Sequence, residues 1–430
     1  MNVKIQKKSI RYLVILILLC LEHQVLYLVP SNWTILGLDY QTLCALFECF
    51  LFVTLLVEFK GKIPKSRYTI IFVLGIMLIV TSALAAMVTY GQGFQTGIIV
   101  QRSRVGSLLM FFVLLGWYKN EKVSVHGLWK TLMIFCTIYF FVCLLQFLLS
   151  DIITFTYSTS SEKTRYGSVR YWFSGSYLVF MAGFGLDRLW AGKKNRIIGL
   201  FFLLAPFVLA FVITKTRMMA LALTCSVVIC VIFRGGSFKK KMFGIVLVVI
   251  AFFALTSTQL GMDLLARVMN SGTTTEDTLT VRNIGRIYYI TKVFNNPFNM
   301  LFGCGYASAN NPVAYSMTYP AIYSATYGYD VMLYPSDNGI FGCLYYYGLL
   351  GILWWVGSLC FLFHRAWKIY KHTGNTVFIG IAIYEITSSL TLTPNFFSRF
   401  ILVPVIAVLM LGTEINIQRE QKNVLRSRNH

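Results

Sequence analysis

Charge is what this sequence has least of: 13% of its 430 residues are Asp, Glu, Lys or Arg, against 57% hydrophobic. A soluble domain of that length needs a mixed, charged surface, so the composition excludes one and makes lipid the solvent. Acid is scarcer still, with 16 Asp and Glu facing 38 Lys and Arg. The formal charge of +22 would suit nucleic acid, but the basic residues are scattered over short segments between apolar runs. Membrane topology and anionic headgroups account for that pattern, and nucleic-acid binding is excluded. Cysteine is present ten times, yet nine copies lie inside apolar runs and only Cys304 falls in a loop. No extracytoplasmic pair is left for a disulfide, so cysteine here is packing.

A helical crossing of the hydrocarbon layer takes about 20 apolar residues. Twelve runs approach that length, at 11–29, 35–59, 68–90, 98–118, 128–149, 171–190, 196–213, 217–233, 242–258, 338–362, 376–392 and 400–415. The expected fold is all-α and integral to a membrane, with about 12 transmembrane helices. Nine crossings occupy 1–258, a large extracytoplasmic loop fills 259–336, three crossings follow in 337–416, and 417–430 is a basic cytoplasmic tail. The first run carries Lys4, Lys7, Lys8 and Arg11 but no small-residue cleavage site, which predicts a retained helix rather than a removed signal peptide.

Basic residues near helix ends stay on the cytoplasmic side. With the N-terminus inside, 26 of the 38 fall on that side, which predicts an even number of crossings and both termini in the cytoplasm. The other 12 break the bias: Arg102, Arg104, Lys163, Arg165, Arg170, Lys215, Arg217, Arg267, Arg282, Arg286, Lys292 and Arg399. Nine of these are Arg, whereas the inner set holds 9 Arg to 17 Lys, so the outer set is selected for more than charge. Guanidinium forks grip phosphate oxygens through paired bonds where Lys offers a point charge, and an anionic phosphate ligand follows. Arg102, Arg104 and Arg217 stand at span starts, where such a residue either serves a polar cavity or snorkels to headgroups.

The 78-residue stretch 259–336 is the one long non-membrane segment and the place for a binding or catalytic subdomain. Within it Arg282 and Arg286 are four apart and share one helix face, able to grip one pyrophosphate; solvated arginines on a surface helix fit the same spacing. Asn296-Pro297 and then Gly303-Cys304-Gly305 make a turn whose glycines let backbone approach a ligand or a helix. Tyrosines at 306, 315, 319, 323, 327, 329 and 334 suit either sugar stacking or an interfacial aromatic belt. Ser336-Asp337-Asn338-Gly339 opens the tenth run, with Asp337 read as an outer-face general base or as a helix cap. Glu276-Asp277 is the one adjacent acidic pair outside and is followed by Thr, so no metal site is expected.

Four of these features together resemble the bacterial O-antigen and capsular polysaccharide polymerases and O-antigen ligases, membrane glycosyltransferases of GT-C-like architecture. They are Thr214-Lys215-Thr216-Arg217 entering a span, Arg282 and Arg286 opening the large loop, Asn296-Pro297 with Gly303-x-Gly305, and Ser336-Asp337-Asn338-Gly339 before Tyr347-Gly348-Leu349-Leu350-Gly351. The resemblance covers about 200–360. Ligases typically carry His where this chain has Asp337, and none of its five histidines, at 23, 126, 364, 372 and 430, falls in an outer loop, which favours polymerase. The resemblance implies donor and acceptor glycan repeat units on undecaprenyl pyrophosphate, membrane lipid as surroundings, a chain-length regulator as partner, and no cofactor. Pyrophosphate leaves readily, so fixed positive charge and a base suffice. Arg217, Arg282 and Arg286 are assigned the first task, with Arg102, Arg165 and Arg399 behind them; Asp337 is assigned the second, with Asp263 and Asp330 as rivals. A ligase-type transferase or a flippase for lipid-linked sugars is the alternative, the latter drawing on Glu22, Glu48 and Glu385 as proton-relay candidates.

Overall fold

A computed structural model of the chain describes residues 2–27, 38–149, 152, 175–190, 196–214, 216–235, 241–242, 245–246, 278–324, 329–394 and 401–428. Helix dominates them. In chain order these are α1 (Asn2–Glu22), α2 (Tyr40–Glu58), α3 (Thr69–Tyr90), α4 (Phe94–Val100), α5 (Arg102–Lys119), α6 (Val125–Leu148), α7 (Gly175–Trp190), α8 (Arg196–Val208, prolonged by a π turn to Ile213) and α9 (Arg217–Phe233). Then come α10 (Thr278–Phe294), α11 (Pro297–Phe302), α12 (Pro312–Thr318), α13 (Ile340–Thr373), α14 (Val377–Ser388) and α15 (Leu402–Arg428). A single hairpin, β1 (Ala321–Ser324) against β2 (Tyr329–Met332), pairs Ala321 with Met332 and Ser324 with Tyr329.

Six described helices are long and apolar enough to cross a membrane, seven if the bent pair α4 and α5 counts as one span. The side-chain pattern agrees with a multi-pass membrane protein. On α3, Ile70, Leu74, Met77, Val80, Leu84 and Val88 are exposed, while Ile71, Gly75, Leu78, Ser82 and Ala86 are buried. An apolar stripe turned outward at helical spacing is the reverse of a soluble helix and is stable against lipid tails.

Among the described residues the helices broadly follow the apolar runs, and three departures bear on the site. The fourth run breaks at Gln101, where α4 and α5 meet at 67°; Gly97 lets α4 lie directly against Ala83 of α3. The tenth run continues to Thr373 as one helix with non-helical backbone at Gly348. The tail that was to follow the last crossing prolongs α15 instead, because from Thr413 to Arg428 it holds good helix formers and neither Gly nor Pro. The ninth run, 242–258, lies outside the described residues apart from 242, 245 and 246.

At one end of the bundle, here the loop end, residues 278–324 and 329–338 fold down on the helices around a second apolar cluster that joins Tyr289, Val293, Cys304 and Leu333 to Tyr90 and to Tyr345, Tyr346 and Tyr347. Asn296 and Asn311 cap α11 and α12, each with proline following, and so start both short helices. Gln92 fastens the loop to the end of α3: its side-chain amide donates to Tyr306 O at 2.9 Å and accepts from the Ser308 N–H at 2.7 Å.

Two of the glycine signals meet here. Gly303 and Gly348, at φ +78° and +63°, stand back to back, and a Cβ on Gly348 would overlap the backbone of Gly303 and Leu301. Cys304 N–H donates to Tyr345 O at 2.7 Å, and the Ser82 hydroxyl donates to Tyr346 O at 3.2 Å, so the carbonyls freed by the kink are used. The glycines therefore admit a helix, not a ligand. At φ +63° and ψ −161° the Gly348 backbone is in a region open essentially to glycine alone, so Gly348→Ala adds strain of about 1–3 kcal/mol and overpacking of about 1–3 kcal/mol. The variant is expected to melt well below the wild type in detergent, read by the loss of its monodisperse gel-filtration peak.

Candidate functional site

The described arginines of the outer set divide into two kinds. Arg102 binds Asp39 at 2.6 Å, donates to the Thr42 hydroxyl, and donates to Ile99 O at 2.9 Å, thereby joining the starts of α2 and α5. Burial works against the Asp39 charge, but bonds from Thr42 and the Arg102 guanidinium outweigh it and hold the carboxyl below its usual range. A carboxyl lowered by folding contributes stability above its unfolded value, about pH 3.9, and loses it as pH falls through the folded one. Because the pair is partly exposed, Arg102→Ala should cost no more than about 1 kcal/mol. Its melting temperature should converge with that of the wild type on acidification.

Arg104 sits in an aromatic setting, its guanidinium carbon 4.0 Å from the Tyr306 ring centroid and one N–H donating to the Tyr347 hydroxyl at 3.2 Å. Tyr306 stacks on Tyr346 at 3.7 Å, and Tyr347 donates to Gln101 at 3.0 Å. Burial raises the Tyr306 hydroxyl well above its ordinary pKa although the Arg104 charge pulls it down. Burial likewise pushes the Cys304 thiol up to about 12, so it is no nucleophile.

Arg286 is the other kind. Arg282 and Arg286 do lie one turn apart on α10, and Gly285 beside Arg286 lets that helix close on Asn338. Arg286 donates to Asn283 Oδ1 at 3.2 Å and to Leu390 O at 2.9 Å, with Phe341 beneath it at 5.6 Å. No ion pair among the described residues uses it. Its Nε is buried and has no partner among the described residues; the same holds for Asn338 Oδ1 and Thr391 Oγ1.

These three unsatisfied groups belong to one seam. Asn338 is oriented by its own Nδ2 donating to Tyr334 O at 2.9 Å, which leaves Oδ1 facing away from that bond. Gly339, at φ +57°, presses against Ser389 O and the Leu390–Thr391 peptide, and Ile340 N–H donates to Ser389 O at 2.9 Å. The start of α13 is thus satisfied by the end of α14, and neither Ser336 nor Asp337 makes a capping bond to it. Thr393 donates to Ser336 O at 3.1 Å and closes the far side. Each buried polar atom without a partner costs about 1–3 kcal/mol, so one donor, one acceptor and one hydroxyl along the elements of this seam make it the candidate site among the described residues.

Asp337 is exposed, in the 3₁₀ turn Pro335–Asn338 between this seam and a row of tyrosines. Ring centroids of Tyr315 and Tyr319 are 4.9 Å apart, and those of Tyr319 and Tyr334 are 5.6 Å apart. Tyr334 is raised from its ordinary pKa by burial first, then by the charges of Tyr315 and Asp337. Asp330 lies on β2, paired with Tyr323.

Arg217 is the first residue of α9, preceded by Thr216. Arg165, Arg399, Asp263 and Glu276-Asp277 lie outside the described residues, and among the described ones no group of His, Cys, Asp and Glu could hold a metal. Sequence reasoning gave no role to Asn338, Ser389 or Thr391. The signal was there in part: Ser388, Ser389 and Thr391 stand at the end of an apolar run, where the Ser388 and Ser389 hydroxyls bond back to Glu385 O and Ile386 O and the Ile340 N–H, next to Gly339, supplies the donor to Ser389 O. No protein-family model matches the chain, and no curated protein matches it.

Proposed function

We propose that the chain is a multi-pass glycosyltransferase of the bacterial cytoplasmic membrane, with about 12 crossings, both termini in the cytoplasm and the loop end outward. It polymerises oligosaccharide repeat units carried on undecaprenyl pyrophosphate into a surface polysaccharide. The observation that carries this reading is the seam of Arg286 Nε, Asn338 Oδ1 and Thr391 Oγ1, three buried groups without partners among the described residues, set beside an exposed acid and exposed tyrosine rings.

A glycosyl pyrophosphate needs all of these. Its oxygens take the unused guanidinium donor, with Arg282 one turn away adding charge where the leaving pyrophosphate becomes anionic. A sugar hydroxyl donates to Asn338 Oδ1. Acceptor sugar rings lie against Tyr315, Tyr319 and Tyr334, and Asp337 removes the proton from the attacking hydroxyl as the new C–O bond forms and the bond to pyrophosphate breaks. Arg102, held by Asp39, takes no part.

Deleting the gene in its native host tests the class. Surface glycan reduced to single repeat units identifies a polymerase; carrier-linked units retained on the inner side identify a translocator and overturn the proposal.

A further inference from the structure

At the end of the bundle away from the loop, α7, α9 and the joint between α13 and α14 come together. Arg234 closes α9, its own N–H donating to Cys230 O, and its guanidinium binds the Asp187 carboxylate in the last turn of α7. The same guanidinium carbon lies 5.4 Å from the ring centroid of Trp190, the last residue of α7. The Tyr370 hydroxyl donates to Phe233 O at 2.6 Å and the Cys230 thiol to Thr376 O at 3.3 Å, which fixes the end of α9 against the α13–α14 joint. None of these residues belongs to the seam of the proposed reaction.

Two donors here are buried without an acceptor among the described residues, Arg234 Nη1 and Trp190 Nε1. Neither a guanidinium nor an indole N–H can accept, so they cannot satisfy one another, and an oxygen from outside the chain is what completes both. The surrounding charge says which kind. Arg188 over the Phe184 ring at 5.0 Å, Lys371 over the Trp367 ring at 5.9 Å and Arg234 itself stand against the carboxylate of Asp187. Trp367 in turn meets Phe233 edge-on at 5.4 Å, which brings its cation to the same joint. A water molecule would accept both bonds and leave that charge unanswered; an anionic oxygen meets both needs. Ile232, two residues before Arg234, is 44% exposed, so the joint borders lipid-facing surface. The side chain that can yield to an incoming group is Asp187, 35% exposed.

We propose that Arg234 and Trp190 form a binding site for the phosphate of an anionic phospholipid, at the end of the bundle opposite the loop. Arg234 keeps Asp187 on one arm of its fork and gives Nη1–H to a phosphate oxygen; the Trp190 indole donates to the same group, and the acyl chains run along the lipid-facing side of α9. Basic pockets between membrane helices recognise headgroups in this way, and an indole at the boundary is suited to it by an apolar body and one polar tip. The site rests on the multi-pass reading and not on glycan transfer, with which it shares no residue.

Thermal unfolding of the full chain in neutral detergent tests this, with phosphatidylglycerol, phosphatidylcholine of the same acyl chains, or inorganic phosphate added. Phosphatidylglycerol is expected to raise the melting temperature of the wild type, and the other two to leave it nearly unchanged. Trp190→Phe keeps a ring beside Arg234 and deletes only the unused donor. It should melt no lower than the wild type without lipid, and bind phosphatidylglycerol about tenfold more weakly. Arg67→Gln, a change of charge beside the start of α3 at the same end, should keep the wild-type response. No rise with phosphatidylglycerol, an equal rise with phosphatidylcholine or with inorganic phosphate, or undiminished binding by Trp190→Phe overturns the proposal. Failure of Trp190→Phe to fold would overturn it too, because the indole N–H would then serve the fold and not a ligand.

Discussion

On the proposed reading, Arg286→Ala is expected to abolish polymer while leaving the protein folded in the membrane. Among the described residues the guanidinium donates to Asn283 and Leu390 O, neither of which is charged, so its removal strands no carboxylate among them. What is lost is the donor with no partner among the described residues, Nε, together with the positive charge beside Asn338. Removing one fixed donor aimed at developing negative charge lowers turnover about 10²–10³-fold. Growth of a chain multiplies that deficit over successive additions, so the expected gel shows single repeat units and no ladder. Arg286→Lys restores charge but not the fork, and is expected to recover little, because a compact ammonium does not present the planar donor array that reaches Asn283 and Leu390 O while offering Nε–H to a phosphate oxygen. A ladder of normal length from Arg286→Ala would remove this residue from the site.

The second large effect is at Asp337. As the base for the incoming hydroxyl, its replacement by Asn should slow turnover about 10²–10⁴-fold. The substitution is nearly isosteric, and the Asp337 N–H bond to Tyr334 O at 3.1 Å comes from the backbone, so the turn survives. Exposure of the carboxyl means the folded state gains little from its charge, and melting temperature should not change. The useful contrast is with Asn338→Ala, which deletes a buried contact and should lower both activity and stability. Purified protein with carrier-linked repeat units gives both readings: rate from product length, stability from thermal unfolding. Wild-type rates from Asp337→Asn would pass the role of base to another acid, of which Asp330 is on the adjacent hairpin.

Much of the helical framework could be read from apolar periodicity alone, because a lipid-facing helix shows its length as an uninterrupted run. The kinks could not. Gly348 sits inside an apolar run and Gln101 opens a polar Gln-Arg-Ser-Arg stretch at the start of another, yet what meets the chain at these bends is packing with partners remote in sequence: Gly97 on Ala83, and Gly348 on Gly303. Spacing placed Arg282 and Arg286 on one helix face, a local property. It gave no hint that Arg102 would be bound by Asp39, 63 residues away, or that Arg286 would reach Leu390, 104 residues on. The tyrosines divide similarly: Tyr306 is drawn into packing with Tyr346 and Arg104, while Tyr315, Tyr323 and Tyr334 remain exposed, a distinction that residue type does not encode.

The central claim is that the seam between α10, the 3₁₀ turn and the end of α14 receives a lipid-borne glycosyl pyrophosphate. A photoreactive amino acid in place of Ser336 or Thr393, which bond one another at the far side of the seam, tests it directly in living cells. Irradiation should capture carrier-linked repeat units at these two positions and not at Phe50 on the lipid-facing side of α2. Capture at Phe50 equal to that at Ser336 and Thr393, or capture at none of them with the glycan abundant, would contradict it.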